Sequence, residues 1–372
     1  MSIYDQISSN KTKSVLLIAI FLVLIIIFGY FLSSSKPTVN IIDNSFTQNQ
    51  IGVFGLTSKK QADELGVDLT RHSIKWEEYE NNKELFDRYF KQFAGLRVIL
   101  TVRSVHSSKT NCPSWAPKRE LSCPPKDIQE YRTFVREIVQ KYKSKVDAWQ
   151  FENEPFSGAG HFWTEAELGQ IDSLIELTKT ASEIVRKEDP EKMILSPSLA
   201  FADKITFDDQ LNPQFDNVST LVTRAWKEAI DPNFRKFTKE NCNYFDAVDV
   251  HLYHTIDSIR NRVRWVNNAL STSNCKAKEL WTTETAGPQL NDVAQVNDAF
   301  YKEQADEIPL RFQTLFDNGI KKAIYFHYRD NEKEGGDAIF AALGLLDKSG
   351  NKKPAFYAFA DYVRSLPNNK NL

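Results

Sequence analysis

Two glutamates of this sequence, Glu154 and Glu284, stand at the carboxyl ends of predicted buried strands. The run over residues 146–152 is mostly apolar, and the strand must end by Pro155, which has no backbone N–H to donate to a sheet. A second apolar and β-branched run over residues 279–284 ends on Glu284, shortly before a Gly-Pro breaker. Hydrolysis of a glycosidic bond requires two carboxyl groups that face each other across one cavity.

In the double-displacement form of that reaction the two carboxyl groups lie about 5 to 5.5 Å apart. We expect Glu154 to be the acid/base, because apolar surroundings and a neighbouring negative charge raise the pKa of a carboxyl group. Glu284 is then the nucleophile, kept ionised by hydrogen bonds and a nearby cation. When Glu284 becomes an ester its charge disappears and the pKa of Glu154 falls, which suits its second task as a base toward water. Glu152 is predicted to be a supporting residue deeper inside.

The elements that position these residues are predicted to be eight strands, each followed by a helix. The strand candidates cover residues 51–54, 68–74, 97–103, 146–152, 193–196, 247–253, 279–284 and 322–328. Helical patterns cover residues 58–65, 83–93, 128–142, 171–187, 256–270, 299–318 and 355–366. Eight β-then-α units favour an α/β fold, a closed (β/α)8 TIM barrel, over an open doubly wound sheet. In such a barrel the carboxyl ends of the strands form the catalytic face.

Two segments are long for a barrel and are predicted to be loops that shape a substrate cleft at that face. They cover residues 104–126, after the third strand, and 201–244, after the fifth. The chain also has four cysteines, which are compatible with two disulfides. A Cys112–Cys123 bridge would pin the first loop, and a Cys242–Cys275 bridge would join neighbouring units at the opposite rim.

The N-terminal region carries an uncharged apolar run over residues 15–32, long enough for a helix across the hydrocarbon core of a membrane. Lys11 and Lys13 precede it and Lys36 follows it, a slight bias that keeps the N-terminus in the cytoplasm and places the remainder outside the cell membrane. A cleaved signal peptide is the alternative and would give a secreted protein. The predicted organisation is a cytoplasmic tail (1–13), a transmembrane signal anchor (14–32), a linker (33–50), the barrel (51–366) and a short tail (367–372).

Composition narrows the function classes further. The 372 residues carry a formal net charge of −2 and no basic stripe, so we expect no nucleic-acid partner. The sequence contains no P-loop, serine elbow or nucleophilic-cysteine context, and we expect no cofactor and no metal. The length permits a single barrel, and the oligomeric state stays open.

Several motifs, in their order along the chain, resemble the large clan of retaining (β/α)8 glycoside hydrolases, with a pattern closest to families 39 and 5. They are Asn153-Glu154-Pro155, His251-Leu252-Tyr253 and Thr283-Glu284, together with residues 65–71 followed by Trp76, and residues 343–347 and 353–357. The likeness runs from about residue 51 to residue 364. It implies a retaining β-glycosidase that acts on a poly- or oligosaccharide, so the expected partner is a carbohydrate.

The resemblance also implies roles for individual residues. Asn153 would donate to the sugar 2-hydroxyl, and His251 would line the same subsite. Arg71 and Tyr253 would hold Glu284 ionised and oriented. The chemistry of the residues agrees for Arg71, because a guanidinium at a strand end stabilises a neighbouring carboxylate.

Aromatic rings supply the remaining candidates for sugar contacts. Many members of the clan end the eighth strand with a tryptophan that forms the floor of the cleaved subsite, whereas this chain has Tyr325-Phe326-His327-Tyr328. Either Phe326 or Tyr328 replaces that ring, or the floor is built otherwise. Stacking platforms are predicted at Trp76, Trp115 and Trp163, for which packing within loops is the alternative.

Two rival functions stay open on the sequence alone. One is a catalytically silent barrel that binds glycans, which would require a missing catalytic group. The other is a metal-dependent hydrolase that uses His251, His254 and His106, although the first two would face opposite ways on a strand. The sugar, its linkage and the choice between endo and exo attack depend on loop shapes that spacing does not determine.

Overall fold

The computed structural model describes residues 46–112, 122–156, 171–201, 205–216, 218–253, 255–275, 278–288, 296–331 and 338–367. Eight parallel strands form the centre of this part of the chain: β1 Ile51–Phe54, β2 Leu69–Lys75, β3 Arg97–Arg103, β4 Val146–Phe151, β5 Met193–Leu195, β6 Ala247–His251, β7 Glu279–Thr285 and β8 Ile320–Tyr325. Each strand pairs with the next and β8 pairs with β1, so the sheet closes into a barrel.

Helices cover the outside of the barrel: α1 Lys59–Leu65, α2 Trp76–Asn81, α3 Lys83–Gln92, α4 Ile128–Tyr142, α5 Ile171–Glu188, α6 Thr220–Ala225, α7 Asp231–Asn241, α8 Ile256–Thr272, α9 Asp298–Asp317, α10 Ala338–Ala341 and α11 Pro354–Ser365. Each long helix turns an apolar stripe inward. In α4 the buried residues Tyr131, Phe134, Val135 and Ile138 recur at helical spacing. Asp127 caps this helix by accepting from the backbone N–H of Gln129.

The predicted (β/α)8 barrel is confirmed, and the ends of its strands differ from the prediction by at most three residues. The expectation of a loop over residues 201–244 is wrong, because the segment contains α6, a π-helical turn at Trp226–Ile230 and α7. Ile230, Phe234 and Phe237 recur at helical spacing and are fully buried. This segment therefore supplies the helical layer between β5 and β6.

Inside the barrel, seven strands contribute one side chain each to an apolar layer, called here the plug: Leu69, Ile99, Ala148, Leu195, Ala247, Trp281 and Ile324. On β1 the residue paired with Leu69 and Ile324 is Gly52. A Cβ atom on Gly52 would lie 2.5 Å from the carbonyl oxygen of Leu69 and 2.6 Å from Cδ1 of Ile324. No larger side chain fits there, and the plug packs as a solid core.

Both predicted disulfides, Cys112–Cys123 and Cys242–Cys275, are present. The first closes part of the loop after β3, and the second joins the end of α7 to the segment between α8 and β7.

The predicted membrane anchor (14–32) lies outside the described residues, as does most of the predicted linker. The last linker residues pack on the barrel, since the ring of Phe46 stacks on Phe316 of α9 with 4.6 Å between centroids. Across the described parts of the chain, no helix combines the length and apolar character needed to cross a membrane.

Candidate active site

A polar layer lies directly above the plug, toward the carboxyl ends of the strands. Arg71 on β2 and Asp249 on β6 stand two residues beyond the plug residues Leu69 and Ala247, and alternate residues of a strand share a face. Gln150 of β4 connects them, because its side-chain oxygen accepts from Arg71 Nη2 at 2.8 Å and its Nε2 donates to Asp249 Oδ2 at 2.6 Å. All three polar side chains are buried. They form the base on which the catalytic candidates rest.

Glu284 lies near the end of β7, where the pairing with β8 shifts register. Such an irregularity re-aims side chains, and Thr283 and Glu284 both make contacts in the barrel interior. Oε1 of Glu284 accepts from Nη1 of Arg71, and Oε2 accepts from the hydroxyl of Tyr253. A guanidinium and a phenol are partners that stabilise an ionised carboxylate.

Asn153 and Glu154 lie in the turn after β4. Glu154 has a φ of 49°, and its backbone N–H donates to Oγ of Ser198 at 2.8 Å. Its side chain is 22% exposed, and its Oε1 lies 2.5 Å from Nδ1 of His251. Asn153 Oδ1 accepts from Nη2 of Arg71 at 2.7 Å. The turn therefore holds both residues over the same pocket as Glu284.

The two glutamates come close together. Glu154, His251 and Glu284 each have one side-chain oxygen or nitrogen, and these atoms all lie within 4.8 Å of one another. An oxygen of Glu154 is therefore within 4.8 Å of an oxygen of Glu284, near the separation of about 5 to 5.5 Å in retaining glycosidases. Inverting enzymes need about 6.5 to 9.5 Å to admit a water molecule between the groups.

His251 is a buried histidine among negative charges. Burial works to lower its pKa, but the charges of Glu284 and Glu154 and the hydrogen bonds to Asp249 and Glu154 outweigh burial and raise the pKa to about 10. The second proton of the imidazole, on the side of Glu154 Oε1, is therefore retained well above neutral pH.

Asp249, Gln150 and Thr283 are site residues that the sequence reasoning missed. Asp249 Oδ1 accepts from the backbone N–H of Thr283 at 2.8 Å, and Oδ2 accepts from the Thr283 hydroxyl at 2.6 Å. One signal was available, because Asp249, His251 and Tyr253 alternate along the predicted sixth strand and so share its inner face. The hydroxyl of Thr283 had no such signal, since its contact depends on the pairing of β6 with β7.

Phe326, the residue directly after β8, contacts aromatic residues of the pocket. Its ring centroid lies 5.6 Å from that of Tyr253 and 5.1 Å from that of Phe54. The substrate contact of Tyr328 stays a prediction. Strand β8 ends at Tyr325, and burial together with the charge of Glu64 in α1 raises the pKa of Tyr328.

Trp76 is a core residue, so the prediction of a sugar platform there is wrong. Its side chain is 1% exposed and stacks on Phe134 of α4 with 5.3 Å between ring centroids. Its Nε1 donates to Glu80 at 2.8 Å. Helix α2 begins at Trp76, which turns the ring toward α4 and away from the barrel mouth. The other two predicted platforms, Trp115 and Trp163, lie outside the described residues.

The metal-dependent rival requires His106, His251 and His254 to lie together. The two of them that the structure describes, His106 and His251, lie in different surroundings. His106 Nε2 lies 3.1 Å from Oε2 of Glu80, and its ring contacts Trp76, apart from His251. His254 lies outside the described residues. The close group of Glu154, His251 and Glu284 has the spacing of a cation site, but both oxygens of Glu284 already accept from Arg71 and Tyr253.

Glu152 has a different place from the one predicted. It has a φ of 76° and accepts from the backbone N–H of Ser104 at 2.5 Å, so it supports the loop after β3 instead of lying deeper in the barrel. Burial raises the pKa of Glu152 against the opposing charge of Arg103.

Comparison of the fold with solved structures finds glycoside hydrolases. A family 39 glycoside hydrolase from Bacteroides cellulosilyticus aligns with a TM-score of 0.56 and 15% identity over 88% of this chain and 66% of its own. A glucosidase from Croceicoccus marinus aligns with a TM-score of 0.61 and 17% identity over 87% of this chain and 69% of its own. A GH39 β-xylosidase from Caulobacter crescentus aligns with a TM-score of 0.53 and 15% identity over 88% of this chain and 72% of its own.

These matches show a common fold. This chain spans slightly less than two thirds of the Bacteroides protein, so that protein carries a further part without a counterpart in the match. No family model matches the sequence, and no curated protein matches it. The function is therefore inferred from the residues of the pocket.

Proposed function

We propose that this protein is a retaining β-glycoside hydrolase that cleaves O-glycosidic bonds of a poly- or oligosaccharide by double displacement. The observation that carries the proposal is the approach of Glu154 and Glu284 to within 4.8 Å over one pocket at the carboxyl end of the barrel. The glycosidase names of the solved structures with this fold support the same reaction class.

In the first step Glu284 attacks the anomeric carbon and Glu154 protonates the departing oxygen. Arg71 and Tyr253 orient Glu284 and keep it ionised until it attacks. Because Arg71 holds the oxygen of the Asn153 amide, the amide nitrogen of Asn153 can donate to the sugar 2-hydroxyl. That hydrogen bond strengthens as the transition state develops.

In the second step water attacks the glycosyl ester of Glu284, and Glu154 accepts the proton of the water. Esterification removes the negative charge of Glu284, which favours the ionised form of Glu154. The hydrogen bond between Glu154 and His251 is present in both steps, so the change between the steps comes from Glu284. This change has the direction that the second step requires.

The rival of a silent glycan-binding barrel would require an absent catalytic group, whereas both carboxylates and their partners are in place. Turnover of a panel of aryl glycosides and glucans separates the two functions. The metal-dependent rival is separated by metal analysis of the purified protein, where stoichiometric zinc with loss of activity in chelator would favour it.

The direct test replaces each glutamate separately with glutamine. We expect Glu154→Gln and Glu284→Gln each to lower kcat by about 10³-fold or more while the circular dichroism spectrum stays unchanged. Glu279→Gln is the matched control, because Glu279 lies on the same strand as Glu284 but is exposed at the opposite end. Its activity should equal that of the wild type.

A chemical rescue assigns the two roles. Glu284→Gly lacks the nucleophile, so azide should restore turnover and give a glycosyl azide of inverted configuration. Glu154→Gly should be rescued by azide with retained configuration, because its covalent intermediate still forms. Absence of rescue, together with full activity in either glutamine variant, would reject the assignment.

A further inference from the structure

A chain of hydrogen bonds continues below the acid/base into the barrel. Nδ1 of His251 faces Glu154 Oε1 at 2.5 Å, and Nε2 of the same ring lies 3.2 Å from Oγ1 of Thr283. The Thr283 hydroxyl lies 2.6 Å from Oδ2 of Asp249. His251 Nε2 is 3.4 Å from the same carboxylate oxygen. The two catalytic steps involve His251 only as the hydrogen-bond partner of Glu154 and give no role to Asp249.

The direction of each hydrogen bond in this chain can be worked out from Arg71. A guanidinium only donates, so the oxygen of the Gln150 amide faces Arg71 and the amide nitrogen faces Asp249. Asp249 must therefore accept from Gln150, and it also accepts from the backbone N–H of Thr283. The Asp249 carboxylate is fully buried, and Gln150 Nε2 and the Thr283 backbone N–H both donate to it.

Burial works to raise the pKa of Asp249, but the hydrogen bond and charge of His251, the charge of Arg71 and the Thr283 hydroxyl together lower it. The single hydroxyl proton of Thr283 goes to this ionised carboxylate, so Oγ1 of Thr283 has to accept from His251. Nε2 of His251 must then carry a proton. One further proton lies between Nδ1 of His251 and Glu154.

We propose that Asp249 is a positioning residue that keeps a proton on His251 Nε2, both through the Thr283 hydroxyl and by its own contact with that nitrogen, and thereby confines the proton of the acid/base to the contact between His251 Nδ1 and Glu154. The role of this proton in leaving-group departure rests on the proposed glycosidase function. The state of the imidazole itself does not.

The test variant is Asp249→Asn, which keeps the shape but offers an N–H₂ group in place of one acceptor oxygen. The backbone N–H of Thr283 cannot turn away, so the amide oxygen of the new asparagine stays on it and the amide nitrogen takes the place of Oδ2. Gln150 Nε2 then keeps only its second acceptor, the carbonyl oxygen of Ser196.

The Thr283 hydroxyl must reverse and donate to His251 Nε2, so the ring proton moves to Nδ1. Glu154 can then only accept from Nδ1, and the proton for the leaving oxygen is missing. An asparagine behind a catalytic histidine has this effect on the tautomer in serine proteases.

The decisive measurement is ¹⁵N NMR of the full chain labelled at its histidine rings, with the His251 signals assigned by their loss in His251→Gln. We expect a protonated Nε2 in the wild type at neutral pH and an unprotonated Nε2 in Asp249→Asn. Thr283→Ser keeps the hydroxyl and should keep the protonated Nε2. An unprotonated Nε2 in the wild type, or the same state in both proteins, would overturn the proposal.

A kinetic measurement tests the consequence for catalysis. Asp249→Asn should lower kcat/KM about 10²-fold or more for aryl glycosides with basic leaving groups, the usual size of general-acid assistance. The loss should be less than about tenfold for dinitrophenyl glycosides, because their leaving group departs without a proton. Equal losses on both substrates would show a merely structural role and contradict the proposal. If the wild type hydrolyses no glycoside, the proposed function fails while the NMR result still decides the state of His251.

Discussion

Arg71 is the residue through which the pocket is held together. Its guanidinium contacts Glu284, Gln150 and Asn153 at once, and it is 1% exposed. We expect Arg71→Lys to lower kcat/KM by about 10²-fold to 10⁴-fold, because a single ammonium cannot replace the planar fork and charged hydrogen bonds contribute about 1.5 to 3 kcal/mol each. Steady-state kinetics on one aryl glycoside measures this loss.

Arg329→Lys is the matched control for this substitution. Arg329 is exposed and donates to the backbone carbonyl of Lys348, away from the pocket residues. Its replacement should change the free energy of unfolding by less than about 0.5 kcal/mol and leave kcat/KM unchanged. If Arg71→Lys behaved like Arg329→Lys, Arg71 would have no part in holding the nucleophile.

The raised pKa of His251 makes stability depend on pH. Its pKa rises from an ordinary 6.5 to about 10 on folding, so the native state binds this proton more tightly than the unfolded chain. The stabilisation is fully present below pH 6.5 and is lost as the pH rises through about 10. The groups that face the ring are Asp249, Glu154, Glu284 and Thr283.

Urea unfolding of the wild type and of His251→Gln, measured from pH 6.5 to pH 10, checks this dependence. The difference in the free energy of unfolding should be largest at the acid end and should decrease by up to about 1.4 kcal/mol per pH unit. A difference that stayed constant over this range would mean that His251 is neutral in the folded protein.

At the scale of the elements, the two disulfides are expected to serve different purposes. Cys242–Cys275 closes 33 residues and lies outside the pocket. Replacing both cysteines with alanine should lower the free energy of unfolding by about 2 to 4 kcal/mol, because the unfolded chain gains conformational freedom. The value of kcat should not change, since the carboxyl ends of β4 and β7 are untouched. Denaturant unfolding and initial rates measure the two quantities.

The Cys112–Cys123 pair provides the comparison, because it closes only 11 residues and lies in a loop of the catalytic face. The corresponding double alanine variant should lose less stability but should raise KM for an oligosaccharide. If KM rose in the variant without Cys242–Cys275 and not in the variant without Cys112–Cys123, the cleft would not lie at the loop after β3.

The strands could be predicted from the sequence because their apolar runs are short, rich in β-branched residues and bounded by breakers. Helix α7 was missed because the π-helical turn at Trp226–Ile230 and Pro232 interrupt the regular helical spacing. Glu154 and Glu284 were recognisable because each follows or ends an apolar run.

The rest of the pocket depends on contacts between strands that are distant in sequence. The register of β6 against β7 determines which hydroxyl lies beside Asp249, and a single sequence does not encode that register in any local pattern. The packing of Trp76 on α4 is of the same kind, since Phe134 lies 58 residues further along the chain than Trp76. The local spacing of residues predicts which face of a helix or strand a side chain lies on. Its contact partner on another element depends on the tertiary structure.

For the whole molecule we propose that the full chain is anchored in the cell membrane, with the barrel outside the cytoplasm. Two observations support this: the uncharged apolar run over residues 15–32 and the two disulfides, which form and persist in oxidising compartments. The full chain should resist extraction by alkaline carbonate. A variant with Leu24→Arg and Ile27→Asp should be extracted, because charges at the centre of the run oppose insertion.

Protease treatment of intact cells tests the orientation, and the barrel should be cleaved or shed while the N-terminus stays protected. Recovery of a mature protein that starts near residue 36 in the culture medium would instead support a cleaved signal peptide. A full chain that is removed by carbonate without any substitution would reject the anchor.

The plug closes the barrel on one side of the pocket. Its seven apolar side chains lie beneath Arg71, Gln150 and Asp249, so the plug itself offers water and hydrogen ions no path to Glu154. In the proposed reaction the leaving group therefore departs, and the water of the second step arrives, on the side of the pocket away from the plug. Solvent isotope can then reach Glu154 while the sugar is still bound as the ester, once the leaving group has gone.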